Sequence, residues 1–176
     1  MTFRNRLLLL VALLTLGITT TFAQQDKSKR PSPPAKAEAS VGDLSIAVHY
    51  SSPAVKGREI WGKLEPYGKV WRTGANEATI FEVNKDVTIN GQKLAAGKYA
   101  LFSIPQENDE WVVIFNKEHN QWGAYNYDES KDALRINVKP GKTDELVERL
   151  KFDVSDKGTV TFMWENVKWN FDVKKA

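Results

Sequence analysis

Twelve consecutive residues, Pro66 to Glu77, hold the groups best suited to chemistry in this chain. They include Tyr67, Lys69, Trp71, Arg72, Asn76 and Glu77, spaced by Gly68 and Gly74. Strands are depleted in Gly, Pro and Asn, so the stretch reads as a connecting segment. Such segments carry function when a rigid scaffold holds them. Arg72 and Asn76 lie close enough in the chain to hydrogen-bond Glu77, and a neighbouring cation lowers a carboxylate pKa. Glu77 is therefore the candidate catalytic carboxylate, a base or charged stabiliser, with Asp86 and Asp132 as guesses for a separate acid. Equally, these groups suit the fixing of polar atoms on a ligand, or an Arg72–Glu77 pair that pins the segment down.

A second constellation runs from Asn116 to Asp132. Trp122, Tyr125 and Tyr127 flank Gly123, with Asn116, Asn120, Gln121 and Asn126 close by. Aromatic faces beside amides suit sugars, whose C–H faces stack while their hydroxyls need planar donors and acceptors. They also suit a core Trp whose N–H is satisfied by a turn. Trp122 is expected in the core, and Tyr125 beside a ligand, where Gly123 permits close approach.

Other chemistries find little footing. The chain has only His49 and His119 and no cysteine, whereas metal sites need such ligands at converging spacings. Both histidines are expected at the surface, and no metal or cofactor is expected. There is no Gly-x-Ser-x-Gly elbow, and Ser103 falls inside a strand pattern. Two segments, Gly62 to Lys69 and Gly91 to Lys98, mimic a phosphate-binding loop. Each has five residues between its glycines where the pattern has four, and neither continues into Ser or Thr.

The elements that must position these groups are strands. Leu44, Ile46, Val48 and Tyr50 alternate with polar or small residues, as do Thr79, Phe81 and Val83 and later Leu134, Ile136 and Val138. Asn90–Gly91 is a hairpin signal, since both residues tolerate positive φ. Trp111 to Phe115 is apolar on both faces and is expected to be covered on each side. Val160 to Trp164 is expected to turn through Glu165–Asn166 into Val167 to Val173. Only Asp144 to Leu150 is ambiguous, with Leu146, Val147 and Leu150 at helical spacing. Many short strands predict a single all-β domain over 41–176, an antiparallel sandwich or barrel.

The N-terminus predicts export. Arg4 and Arg6 precede an apolar run of 12 residues, Leu7 to Ile18, which ends near Ala23. That describes a secretory signal peptide over 1–23, since a membrane-spanning helix needs roughly 20 apolar residues. After cleavage no transmembrane anchor is expected. Residues 24–40, with three prolines and no large apolar side chain, read as a flexible linker whose Lys27, Lys29 and Arg30 are solvated. Loss of Arg4 and Arg6 leaves 23 basic residues against 22 acidic, a net charge of +1, and removes the electrostatic case for nucleic acid. A cysteine-free exported domain must be stabilised by burial alone.

Several of these pieces occur together in one known family. The order Ser52-Pro53, Lys56-Gly57-Arg58, Pro66 through Thr79, Asp86 through Gly91, Ala96 through Tyr99, Asn116-Lys117 and Gln121-Trp122-Gly123 through Asp132 resembles the exported bacterial domain-of-unknown-function family 2911. The likeness covers about Leu44 to Val173. It implies a secreted or periplasmic β-rich domain, common in Gram-negative bacteria, and carries no established activity, cofactor or catalytic residue. Two expectations follow. The first is a non-catalytic envelope domain binding glycan or peptide through Tyr67, Trp71, Arg72, Asn76, Glu77 and Tyr125. The second is a hydrolase or lyase using Glu77, with a purely structural envelope module as the plainer case.

Overall fold

The computed structural model describes residues 26–176, so the expected export segment, 1–23, lies outside the described residues. Two antiparallel sheets form a sandwich. The larger has the order β1 (Pro34–Val41), β2 (Leu44–Ser51), β3 (Thr79–Val83), β6 (Gly97–Ile104), β7 (Trp111–Asn116), β8 (Asp132–Val138). The smaller has the order β5 (Gln92–Leu94), β4 (Val87–Ile89), β10 (Thr159–Lys175), β9 (Gly141–Val154). The sheets do not close on each other, which decides for the sandwich over the barrel. Among the described residues no helix is long and apolar enough to cross a membrane.

Period-two patterning sets the faces. Leu44, Ile46 and Val48 of β2, Phe81 and Val83 of β3, and Trp111, Val113 and Phe115 of β7 are buried between the sheets. They meet Phe162, Trp164, Trp169 and Phe171 of β10. Trp71 stacks on Trp164 with ring centroids 5.7 Å apart, and Phe162 stacks on Trp169 at 4.7 Å. Trp61 sits edge-on to Trp111 at 4.8 Å. Such contacts add about 0.5–1.5 kcal/mol each beyond the area they bury. Packing of this density has a cost, because the indole N–H groups of Trp61, Trp164 and Trp169 are buried without a hydrogen-bond partner.

Four segments differ from, or resolve, what the sequence suggests. Residues 34–40, expected within a flexible linker, form β1 together with Val41 and pair with β2 along its whole length, from Pro34–Ser51 to Val41–Leu44. The linker reading does not hold there, because small Ala37 and Ala39 suffice to pack on the core beside Val41. Glu165–Asn166 is no reversal: Glu165 takes φ 56° and the pairing shifts register on either side of it. The extra residues lie on β9, where Lys151 to Lys142 faces Met163 to Val167, and β10 runs straight through. The ambiguous stretch 144–150 lies inside strand β9. Asn90–Gly91 makes the expected tight hairpin, with φ of 47° and 85°.

The outer face of the larger sheet is partly roofed. Ala78, Ala100, Phe102 and Ile114 form a second apolar cluster there, covered by Val70, Ala124 and Tyr127. This explains why β7 is apolar on both faces.

Trp71 was a candidate ligand residue, yet it is only 5% exposed and fills the core. Trp71→Ala is expected to lower the unfolding free energy by about 3–5 kcal/mol. Urea denaturation monitored by circular dichroism measures it; a loss below about 1 kcal/mol would contradict the core role.

Candidate functional site

The segment after Trp71 is held by its own backbone. Trp71 and Ser103 exchange N–H···O bonds of 2.8 and 2.9 Å, continuing the line of β3 along β6. Thr73, fully buried, has φ 52°, and Asn76 has φ 59°. Left-handed backbone at a β-branched residue costs on the order of 1–3 kcal/mol and persists only where the surroundings over-determine it. Here Thr73 Oγ1 donates to Ser103 Oγ (3.0 Å), and Thr79 Oγ1 donates to the Thr73 carbonyl (2.9 Å).

The segment in turn holds the loop between β7 and β8. Ala78 N–H donates to the Gln121 carbonyl and Gly123 N–H to the Asn76 carbonyl, each at 3.0 Å. At the loop's base, Asp132 accepts from Asn116 Nδ2, Tyr127 OH and Arg135 Nε, all at 2.7 Å. Gly123 is required by close approach: it has φ 66°, and a Cβ there would lie 2.8 Å from Arg72 Nη1.

Where the roof stops, a groove of about 620 Å³ opens on the sheet. Its floor is the outward residues His49 of β2, Ile80 and Glu82 of β3, and Lys98 of β6. Its wall is His119, Asn120, Gln121 and Trp122 of the loop, with Glu77 and Ala78 at one end. Glu82 lies 3.2 Å from Lys98 Nζ and 3.7 Å from His49 Nε2. Trp122 is 51% exposed, which overturns its expected place in the core, because the Glu77–Trp122 bridge holds its backbone over the groove. The Gln121 Oε1 atom in this wall is buried with no donor. Both histidines, far apart in sequence, meet in this groove. No cluster of three or more metal-ligating side chains occurs among the described residues.

Of the six residues expected to bind ligand, only Glu77 lines the groove. Arg72 does not reach it: Arg72 Nε donates to the Gly74 carbonyl (3.3 Å), and the guanidinium packs against Gly123. Asn76 Nδ2 donates to the Ser32 carbonyl (3.0 Å). The left-handed turns at Thr73 and Asn76 separate residues that are neighbours in sequence. Glu77 is held instead by the presumed linker, with Oε1 3.0 Å from Lys27 Nζ and Oε2 2.9 Å from Arg30 Nη1. Partial burial opposes its ionisation, but the Lys27 hydrogen bond, its own N–H and Arg30 prevail and hold the carboxyl at about 2.

The remaining candidates scatter. Tyr125 is 80% exposed and outside the groove lining. Tyr67 lines a different hollow of about 440 Å³ with Trp61 and Trp111. Its phenol is raised by burial and by Glu107, Glu165 and Glu59. Asp86 accepts from the Ala96 N–H, and Asp132 is committed to the loop base, so neither guessed acid lines the groove. Glu65 is half-buried, and burial pushes its carboxyl up to about 7 despite Arg72, Arg58 and the Trp71 indole. The residues missed from the sequence are Ile80 and Lys98, whereas Glu82 was one of several carboxylates it offered. Their outward register on adjacent strands was the available signal.

A family model described as "Protein of unknown function (DUF2911)" matches residues 32–173. No curated protein and no solved structure matches the chain.

Two pH dependences follow from these carboxylates. The Glu77 pKa falls on folding from 4.5 to about 2, so its stabilisation is present above 4.5 and lost as pH drops toward 2. Glu77→Gln should flatten that part of the acid limb in urea titrations; an unchanged limb would refute the pairing. The Glu65 pKa rises from 4.5 to about 7, so stability is full below 4.5 and declines as pH rises through 7. Glu65→Gln should therefore be more stable than wild type at pH 8 and abolish the decline between 4.5 and 7.

Proposed function

The chain belongs to the DUF2911 family, and from its groove we propose that it is a non-catalytic ligand-binding domain of the bacterial envelope, taking glycan or peptide. The observation that carries this reading is the exposed Trp122 at the rim of a groove whose floor and wall supply carboxylate, ammonium, imidazole and amide groups. A large indole half in water leaves apolar area for a ligand to cover. The polar groups around it fix the orientation of what is bound. Export to the periplasm or cell surface, inferred from the basic and apolar N-terminus, sets the pool of ligands the domain would meet.

A hydrolase or lyase built on Glu77 draws less support. Both Glu77 oxygens accept from Lys27 or Arg30, and the groove lining holds no Ser or Thr nucleophile. The site assignment accordingly keeps Glu77 and moves from Tyr67, Trp71, Arg72, Asn76 and Tyr125 to Ile80, Glu82, Lys98, Asn120 and Trp122.

The test is binding to a glycan array and an extended-peptide library, followed by titration calorimetry of any hit. Trp122→Ala should weaken binding about tenfold, the stacking contribution of one aromatic face. Tyr125→Ala should leave it within about twofold, since Tyr125 is outside the groove. Binding indifferent to Trp122 in a folded variant would remove the groove from consideration.

A further inference from the structure

One end of the groove is crossed by the chain's own N-terminal segment. Lys27 Nζ donates to Glu77 Oε1 (3.0 Å), and Arg30 Nη1 donates to both Glu77 oxygens, at 3.1 and 2.9 Å. The Arg30 guanidinium also lies over the Trp122 ring, 5.9 Å from its centroid. A guanidinium that lies over an aromatic ring within cation–π range while bonding a carboxylate is a setting suited to guanidinium recognition. The Arg30 side chain is only 18% exposed, so this cation is seated.

The backbone that carries these cations is a single 3-10 turn, Lys27–Lys29, which passes into extended chain at Arg30. Arg30 has φ −67° and ψ 147°. Its successors are gripped by the domain: Arg149 Nη1 donates to the Pro31 carbonyl (3.5 Å), Asn76 Nδ2 to the Ser32 carbonyl and Ser52 N–H to the Pro33 carbonyl. Under the segment the groove narrows to a hollow of about 170 Å³ that shares His49, Glu77 and Ile80 with the open part. The contacts to Glu77 remain partly wet, with Lys27 56% and Glu77 39% exposed, and exposed ion pairs contribute little, about 0–1 kcal/mol. The segment is seated but weakly held at its cationic end. The family match begins at residue 32, so Glu77 and Trp122 lie inside the common domain while Lys27 and Arg30 lie outside it.

We propose that the Glu77–Trp122 end of the groove is a receptor for a basic peptide segment of another polypeptide that makes one turn and then runs extended, and that Lys27 to Arg30 is an internal occupant which such a segment replaces. This rests on the reading of the groove as a ligand site and names the ligand's chemistry. The guanidinium of the incoming peptide takes the place of Arg30 between the Trp122 face and the Glu77 carboxylate. A second cation three residues earlier takes the place of Lys27. Tethering raises the internal segment to an effective concentration on the order of millimolar, so it competes with any external peptide.

The experiment uses the mature chain and a fluorescein-labelled heptapeptide with the sequence of residues 26–32, read by fluorescence anisotropy. Near-UV circular dichroism verifies that each variant is folded. The double variant K27A/R30A, freed of its internal competitor, should bind the peptide at least about tenfold tighter than wild type. Adding Glu77→Gln to that background should weaken binding again by about tenfold, and a peptide with its cations replaced by glutamate should not bind. Equal affinity in wild type and K27A/R30A, or affinity indifferent to Glu77→Gln, overturns the proposal. Glycan binding that depends on Trp122, in a protein that ignores the basic peptide, overturns it while sparing the groove as a ligand site. If neither glycan nor peptide binds the folded proteins, both readings fall.

Discussion

Trp71 ties the two sheets to the connecting segment, and the geometry of the groove descends from that tie. Its indole stacks on Trp164 of the smaller sheet, while its backbone pairs with Ser103 of the larger one. With Trp71 immobilised from both sides, the chain has only a few residues in which to reach Thr79 at the start of β3. It does so through two left-handed positions, Thr73 and Asn76. Strain of that kind survives because the alternative would expose a large aromatic surface, and burying an aromatic side chain is worth several kcal/mol. The carbonyl of Asn76 and the N–H of Ala78 are then presented to the loop that carries Trp122. A core residue thereby sets the position of a surface indole.

Electrostatics at Glu77 follows from topology in the same way. A carboxylate at the end of a half-open groove needs a partner, and the nearest cation in sequence, Arg72, is occupied with the Gly74 carbonyl. The partner comes from the segment that precedes β1, delivered by the pairing of β1 with β2 along its full length. Neither cation contributes much by itself in wet surroundings. Together with the Glu77 N–H they hold the carboxyl far below its ordinary value. Glu65 shows the opposite balance: more deeply placed, it keeps its proton to near neutrality although Arg72 and Arg58 are close. Two carboxylates in one connecting region thus separate by about five pKa units because one gains donors and the other loses water.

The floor of the groove is the ordinary outer face of an antiparallel sheet, made distinctive by what does not cover it. Phe102, Ile114 and Ala100 are roofed by Tyr127 and Ala124, so their strands are apolar on both faces. His49, Ile80, Glu82 and Lys98 lie beyond the roof and show the alternation of a half-exposed sheet. Aromatic residues divide accordingly. Trp71, Trp111, Trp164 and Trp169 fill the core, whereas Trp122 remains half in water because its backbone is fixed on the outside by the Glu77 bridge.

Much of the fold was legible because it is local. Alternation marks which side of a strand is buried, and Asn90–Gly91 names its own turn. Patterning also pointed to the stretch 66–77 as the unusual one. It failed where small residues suffice: Ala37 and Ala39 make β1 cohesive only because β2 lies beside them, and composition alone reads as a tether. It failed again at Glu165–Asn166, where a turn-like pair stays in the strand, opposite extra residues of β9, because β10 has partners on both sides of that point. The sequence by itself determined an all-β, cysteine-free domain and the residue types available for recognition. Tertiary structure alone decided which of them meet: Arg30 with Glu77 across 47 positions, and His49 with His119 in one groove. Hydrogen bonds and ion pairs reach only about 3–4 Å, and distances of that size are set by sheet pairing and loop anchoring, to which proximity along the chain is a poor guide.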